Sequence, residues 1–203
     1  MILQRIFGRQ ELGFYVDIGA HHPRRFSNTC LFYRKGWRGI NIEPNPAASA
    51  AFQKERPRDI NLQIGISDQE GKLTYYLFND PALNSFDREL SDTRIEKSSH
   101  YRVIGTKEIA VRRLATVLRE HLPPGERIDF LSIDVEGLDM AVLRSNDWDA
   151  FRPNVVVVEA VISLEDVLDS EVFHFMKERG YNALAKTVNT LIFTLPSAQE
   201  YHL

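Results

Sequence analysis

The order of short apolar runs and longer amphipathic segments predicts an α/β protein made of βαβ units around a mostly parallel sheet. Three observations carry this. Strand-length runs rich in β-branched and aromatic residues alternate with segments of helical period. Glycine or proline punctuates the junctions between them. Residues 155–160 (VVVVEA) form an almost unbroken apolar run, the pattern of a strand covered on both faces.

Taken in order, the first strand covers residues 14–18 and stops at Gly19. A helix begins at the cluster Ser27-Asn28-Thr29, where Ser27 or Asn28 can cap, and runs through Leu31 and Phe32 to Gly36. Residues 39–43 make the second strand, closed by Pro44 and Pro46; a helix follows over residues 47–55 and a third strand over 60–67. The turn cluster Asp68-Gln69-Glu70-Gly71 and the alternating residues 72–78 read as a hairpin added to the basic pattern. Residues 79–106 are polar and lack a sustained period, and structureless segments of that length are usually functional lids or disordered, so they are the candidate lid. A helix at 114–121 ends at Pro123-Pro124-Gly125, a strand covers 128–134, and residues 137–145 are helical with Leu138, Ala141 and Val142 on one face. After the apolar strand at 155–160 come a helix over 164–179, ended by Gly180, and two strands near 182–186 and 190–195. No repeat or low-complexity linker divides the chain, so one domain is expected over residues 1–203.

Composition narrows the function classes. With 25 Lys+Arg and 28 Asp+Glu the net charge is −3, which lacks the basic footprint of a general nucleic-acid binder. Residues 85–119 hold eight Lys/Arg against five Asp/Glu, so the lid is expected to be the basic part of an acidic protein. The single cysteine, Cys30, cannot form an intramolecular disulfide and fits a reducing compartment. No run approaches the ~20 apolar residues of a membrane span, and the first twelve residues lack a signal-peptide pattern. A cytoplasmic location is the simplest expectation.

Three acids stand at predicted strand ends: Asp17 in the first strand, Glu43 closing the second and Asp134 closing the one at 128–134. Ligands of open α/β sheets bind at the carboxyl ends of the strands, so all three should face one crevice. The turn Asp17-Ile18-Gly19-Ala20-His21-His22-Pro23 has small residues that admit a ligand, but no triplet of spaced glycines and no phosphate-binding lysine. Glu43 lies 26 residues after Asp17, about where an acid of a nucleoside-binding βαβ unit reaches the ribose hydroxyls. A ribonucleoside without a diphosphate fits this set, and S-adenosylmethionine is the common one.

The segments FYVDIGAHHPRRFSNTCLFYRKGWRGINIEPNP, NLQIGISDQEG, DFLSIDVEGLDMAVLRSNDW and VVVVEAV together resemble the FkbM-type S-adenosylmethionine-dependent methyltransferases over residues 14–193. The resemblance implies a Rossmann-like class I methyltransferase fold, with seven strands, the last antiparallel, and helices on both faces. It implies that Asp17, Gly19, Ala20 and the turn His21–Pro23 wrap the methionine part of the cofactor. It also puts Glu43 on the ribose, Ser67 and Asp68 beside the adenine, and Asp134 at the amino group. Asn28 and Pro44 are counted with the cofactor-binding residues. Pro23 departs from the wider pattern, where many methyltransferases have a third glycine.

The reaction then expected is methylation of a hydroxyl on a sugar or other small metabolite, with Glu136, His21 and His22 as candidate catalytic residues. Histidine titrates near ~6.5 and can take a proton near neutrality. Asp134 and Glu136, two apart on an extended segment, should point the same way. No metal is expected, since Asp139, on a helix, need not face the same way as Asp134 and Glu136. Plainer roles stand beside these: His21 and His22 satisfying the turn, Glu136-Gly137 starting a helix, and Tyr75, Tyr76, Phe78 and Phe86 packing. Glu159, ending an apolar strand, needs a partner or a pocket water. Two other functions fit the fold class, a nicotinamide or nucleotide-sugar enzyme and a non-catalytic module. Only thirteen residues precede the first strand, which leaves the substrate side to be completed by the lid or by another subunit, as in a homo-oligomer.

Overall fold

The computed structural model describes residues 2–196; Met1 and residues 197–203 of the expected domain lie outside them. Along the chain the elements are α1 (Ile2–Ile6), β1 (Phe14–Ile18), α2 (Cys30–Arg34), β2 (Arg38–Ile42), α3 (Pro46–Glu55), β3 (Ile60–Leu62) and β4 (Gly65–Ile66). They continue as β5 (Gly71–Phe78), α4 (Arg88–Lys97), β6 (Val103–Arg112), α5 (Leu114–His121), β7 (Phe130–Ile133) and α6 (Asp139–Ser145). The last are β8 (Val155–Glu159), α7 (Glu171–Glu178), β9 (Asn182–Lys186) and β10 (Thr190–Thr194).

Seven strands form the main sheet in the order β3-β2-β1-β7-β8-β10-β9. All run parallel except β10, which is antiparallel to both β8 and β9. This is the Rossmann-like methyltransferase sheet expected from the sequence. Strand alternation builds a core on each face. On β1, Phe14, Val16 and Ile18 join one apolar cluster, with Leu131, Ile133, Val156 and Val158 beside them. Tyr15 points the other way, toward Phe7, Phe32, Trp37 and Phe130, whose rings meet at 4.8 Å (Phe32 and Trp37) and 5.0 Å (Phe32 and Phe130). Such aromatic pairs hold more than their buried area alone would. The chain winds from β1 outward through β2 to β3, then crosses back to β7 on the other side of β1. That crossing puts the switch point at the carboxyl ends of β1 and β7.

Four elements differ from the sequence expectation. The strand read at residues 60–67 divides: Ile60–Leu62 stays in the main sheet, whereas Gly65–Ile66 turns into a second sheet of order β4-β6-β5. A Cβ on Gly65 would sit 2.6 Å from the Phe86 ring, so packing there requires the glycine. Residues 72–78 do form a strand, but its antiparallel partner is β6, from Gly71 opposite Val111 to Phe78 opposite Val103, and not the strand before the turn. The segment 79–106 is therefore ordered, with a 3₁₀ turn at Pro81–Leu83, the helix α4 and the start of β6. It is also not basic: it holds four Lys/Arg and five Asp/Glu, and the excess read over 85–119 belongs to β6 and α5. The helix read over 164–179 shortens to α7, because Ser170 accepts the Phe173 N–H and caps it at 3.4 Å. Among the described residues, no helix is long and apolar enough to cross a membrane.

Candidate functional site

The carboxyl ends of β1, β2 and β7 open into one cavity of about 980 Å³ including its mouth. Asp17, Gly19, Ala20, His21, Asn28, Glu43, Pro44, Asp134 and Glu136 all line it. Each is positioned by backbone that the sheet dictates. Gly19 has φ +75°, and its N–H and that of Ala20 both donate to the Ile42 carbonyl at 3.0 and 3.2 Å, tying the β1 turn to β2. A Cβ on Gly19 would lie 1.8 Å from the Asp134 carbonyl oxygen. The close approach of the β7 end thus requires the glycine.

Glu43 is 5% exposed and accepts from the His21 N–H and the Asn45 N–H, each at 2.7 Å. Burial pushes its carboxyl up to about 7 against the pull of those two donors. Asp17, buried, accepts from the Thr29 hydroxyl at 2.8 Å, and burial likewise raises its pKa. Behind Thr29 stands Arg56, 1% exposed, which donates to the Thr29 hydroxyl at 2.7 Å, to the Ser27 hydroxyl at 2.8 Å and to the Pro23 carbonyl at 3.0 Å. Its guanidinium also covers the Phe52 ring at 5.2 Å. One buried cation therefore fixes the whole turn from Pro23 to Thr29, and with it the orientation of Asp17. Asn28 donates to the Ser132 hydroxyl at 3.1 Å.

The other wall comes from the insert and the second sheet. Tyr75 and Phe86, whose rings lie 4.6 Å apart, line the cavity with Asn84, so two residues read as packing also face the crevice. Tyr76 pairs across to Ser85 and Phe78 is core, as plain packing would have it. The insert also grips the turn after β7. Glu136 has φ +55° and Gly137 φ +106°, so this backbone is left-handed and not extended as the spacing argument assumed. Arg94 of α4 pairs with the Glu136 carboxylate and donates to the Leu83 carbonyl at 2.9 Å, while the Ser85 hydroxyl donates to the Glu136 carbonyl at 2.7 Å. Asp139 turns back to accept the Val135 N–H at 3.3 Å, and burial pushes it up to about 6. Carboxylate oxygens of Asp134, Glu136 and Glu159 lie within 4.8 Å of one another. Glu136 has Arg94 as its cation, and we assign no metal to the group.

Four of the candidate catalytic and cofactor-binding residues stand outside the cavity lining. The His22 Nδ1 accepts the N–H groups of Arg24 and Arg25 at 3.0 and 3.1 Å, the turn-satisfying role. Pro23 presents its carbonyl to Arg56. Ser67 and Asp68 leave with β4 into the second sheet, where the Ser67 N–H donates to the Arg112 carbonyl at 3.0 Å. His21 lines the cavity with φ +53°, half-buried, and burial lowers its pKa, so its imidazole is neutral at pH 7. Sequence reasoning missed Arg94 and Arg56, because an arginine in a polar helix or at a helix end carries no spacing signal of its own.

Residues 17–183 match the methyltransferase FkbM domain. The methyltransferase sdnD of Sordaria araneosa is 34% identical over an alignment of 116 residues, and the match covers 47% of this chain and 44% of the length of that protein.

Proposed function

Since the chain belongs to the FkbM methyltransferase family, we propose that it uses S-adenosylmethionine to methylate a hydroxyl on a sugar or other small metabolite. The observation that supports this reading is the convergence of Asp17, Glu43 and Asp134, from three strand ends, on one cavity. The residues fit the group. Each Glu43 oxygen is held by one N–H and keeps a further lone-pair direction for a ribose hydroxyl. Pro44, Ile64, Ile66, Tyr75 and Phe86 offer an apolar wall suited to an adenine. Asp134 and Asp17 would face the ammonium end. The insert at residues 79–106 belongs to the same domain and closes the acceptor side.

When bound, the cofactor supplies an electrophilic methyl on a sulfonium. The chain's own task is to orient an acceptor oxygen and exclude water. Glu136, held from both ends by Arg94 and Ser85, orients the acceptor hydroxyl. His21, neutral and facing the cavity, takes the proton that the hydroxyl releases. Tyr75 and Phe86 shield the site from bulk water.

Thermal unfolding tests the cofactor class. S-adenosylhomocysteine at about 100 times its Kd adds about 2.7 kcal/mol, which raises the Tm by about 5–10 °C for a domain of this size. NAD at the same concentration leaves the Tm unchanged. A shift with NAD and none with S-adenosylhomocysteine at millimolar concentration overturns the reading.

A further inference from the structure

Glu159 is the one member of the acid cluster that the reaction above does not use. It ends β8, and the register that pairs Ile133 with Val158 sets it beside Asp134, the residue after β7. Carboxylate oxygens of the two lie within 4.8 Å of each other, and two like charges that close are relieved when one carboxyl keeps a proton. The groups that face Glu159 are Asp134 and Glu136 from the β7 turn, Asp139 from α6 and Arg94 from α4. Arg94 is committed to Glu136. Lys186 of β9 gives its ammonium to the carbonyls of Ala160, Thr187 and Val188 at 3.3, 2.8 and 2.8 Å. With Arg94 paired to Glu136, a retained proton relieves the Asp134–Glu159 repulsion.

Hydration and acidity decide which of the two holds it. Asp134 is open to the cavity, whereas Glu159 is half-buried and outside the lining. Glutamate is also the weaker acid, about 4.3 against 3.9. Burial pushes both carboxyls up, Asp134 to about 7 and Glu159 further, to about 8, with the repulsion of Asp134 adding to it at Glu159.

We infer that Glu159 is a positioning residue: its protonated carboxyl donates to Asp134 and holds that carboxylate toward the cavity, for the ammonium group of the cofactor. The inference rests on the S-adenosylmethionine reading above. It separates a neutral donor from a second anion, because glutamine can replace the first and not the second.

Calorimetry with S-adenosylhomocysteine at pH 7 on wild type, Glu159→Gln and Glu159→Ala makes the test. Glu159→Ala should weaken binding by about tenfold or more, the loss of a hydrogen bond to a charged group. Glu159→Gln should stay within about threefold of wild type. Equal losses in both variants, or an undiminished Glu159→Ala, overturn the proposal while leaving the cofactor reading intact. Absence of binding by the wild type would instead remove the cofactor reading and this role with it.

Thermal unfolding of the ligand-free proteins keeps the test decisive if Glu159→Ala does not fold. A carboxyl whose folded pKa is raised binds more protons in the native state than in the unfolded one. Its contribution therefore makes stability fall as pH rises from its unfolded value through its folded one. The wild-type Tm should drop more steeply than that of Glu159→Gln between pH 5.5 and 8.5, and equal slopes overturn the proposal.

Discussion

A Gly19→Ala variant is expected to lose about 2–6 kcal/mol of stability, the sum of about 1–3 for left-handed backbone on a residue with a Cβ and about 1–3 for the forced shift. The φ of +75° and the 1.8 Å approach to the Asp134 carbonyl leave no place for a methyl group. To admit it, the turn must leave β7 and give up its two N–H bonds to Ile42, which loosens the ends of β1, β2 and β7 together. Urea unfolding followed by circular dichroism reads the loss. A midpoint within error of wild type contradicts the account of this turn.

On the proposed ribose assignment, Glu43→Ala should weaken S-adenosylhomocysteine binding by about 10–100-fold, since it would take a charged acceptor from two ribose hydroxyls and orphans the N–H groups of His21 and Asn45. The pH dependence carries a sign. Burial places the Glu43 pKa at about 7, and a ribose held as proposed would prefer the ionised carboxylate. Affinity of the wild type should therefore weaken as pH falls from about 8 to about 6, through that pKa. In Glu43→Ala this component disappears. Calorimetry at pH 6, 7 and 8 checks both statements, and an identical slope in the two proteins contradicts the ribose assignment.

The parts of this fold that were legible in the sequence are those with a local cause. β1, β2 and β8 are short apolar runs with a glycine, a proline or a glutamate at their ends, and the positions of Asp17, Glu43 and Asp134 follow from strand polarity alone. α5 was legible to the residue because an apolar face and a proline-glycine stop define it. What was not legible depends on long-range pairing. β5 finds its partner beyond a helix whose residues are mostly polar, so nothing near Lys72 announces β6. The split after Leu62 depends on Phe86 filling the space over Gly65, and it carried Ser67 and Asp68 away from the cavity. Glu136 reached the cavity by a route that the spacing did not describe, a left-handed turn clamped by Arg94 and Ser85. Glu159 was marked by its sequence as an acid in need of a partner or a water, and strand register brings it beside Asp134.

A crystal structure of the protein with S-adenosylhomocysteine bears most directly on the central claim, that three strand-end acids hold an S-adenosyl cofactor in this cavity. The account predicts the ribose hydroxyls on the Glu43 carboxylate, the amino group facing Asp134, and the adenine against the wall of Ile64, Tyr75 and Phe86. A nucleoside bound elsewhere, or one in the cavity with its ribose turned away from Glu43, would contradict it.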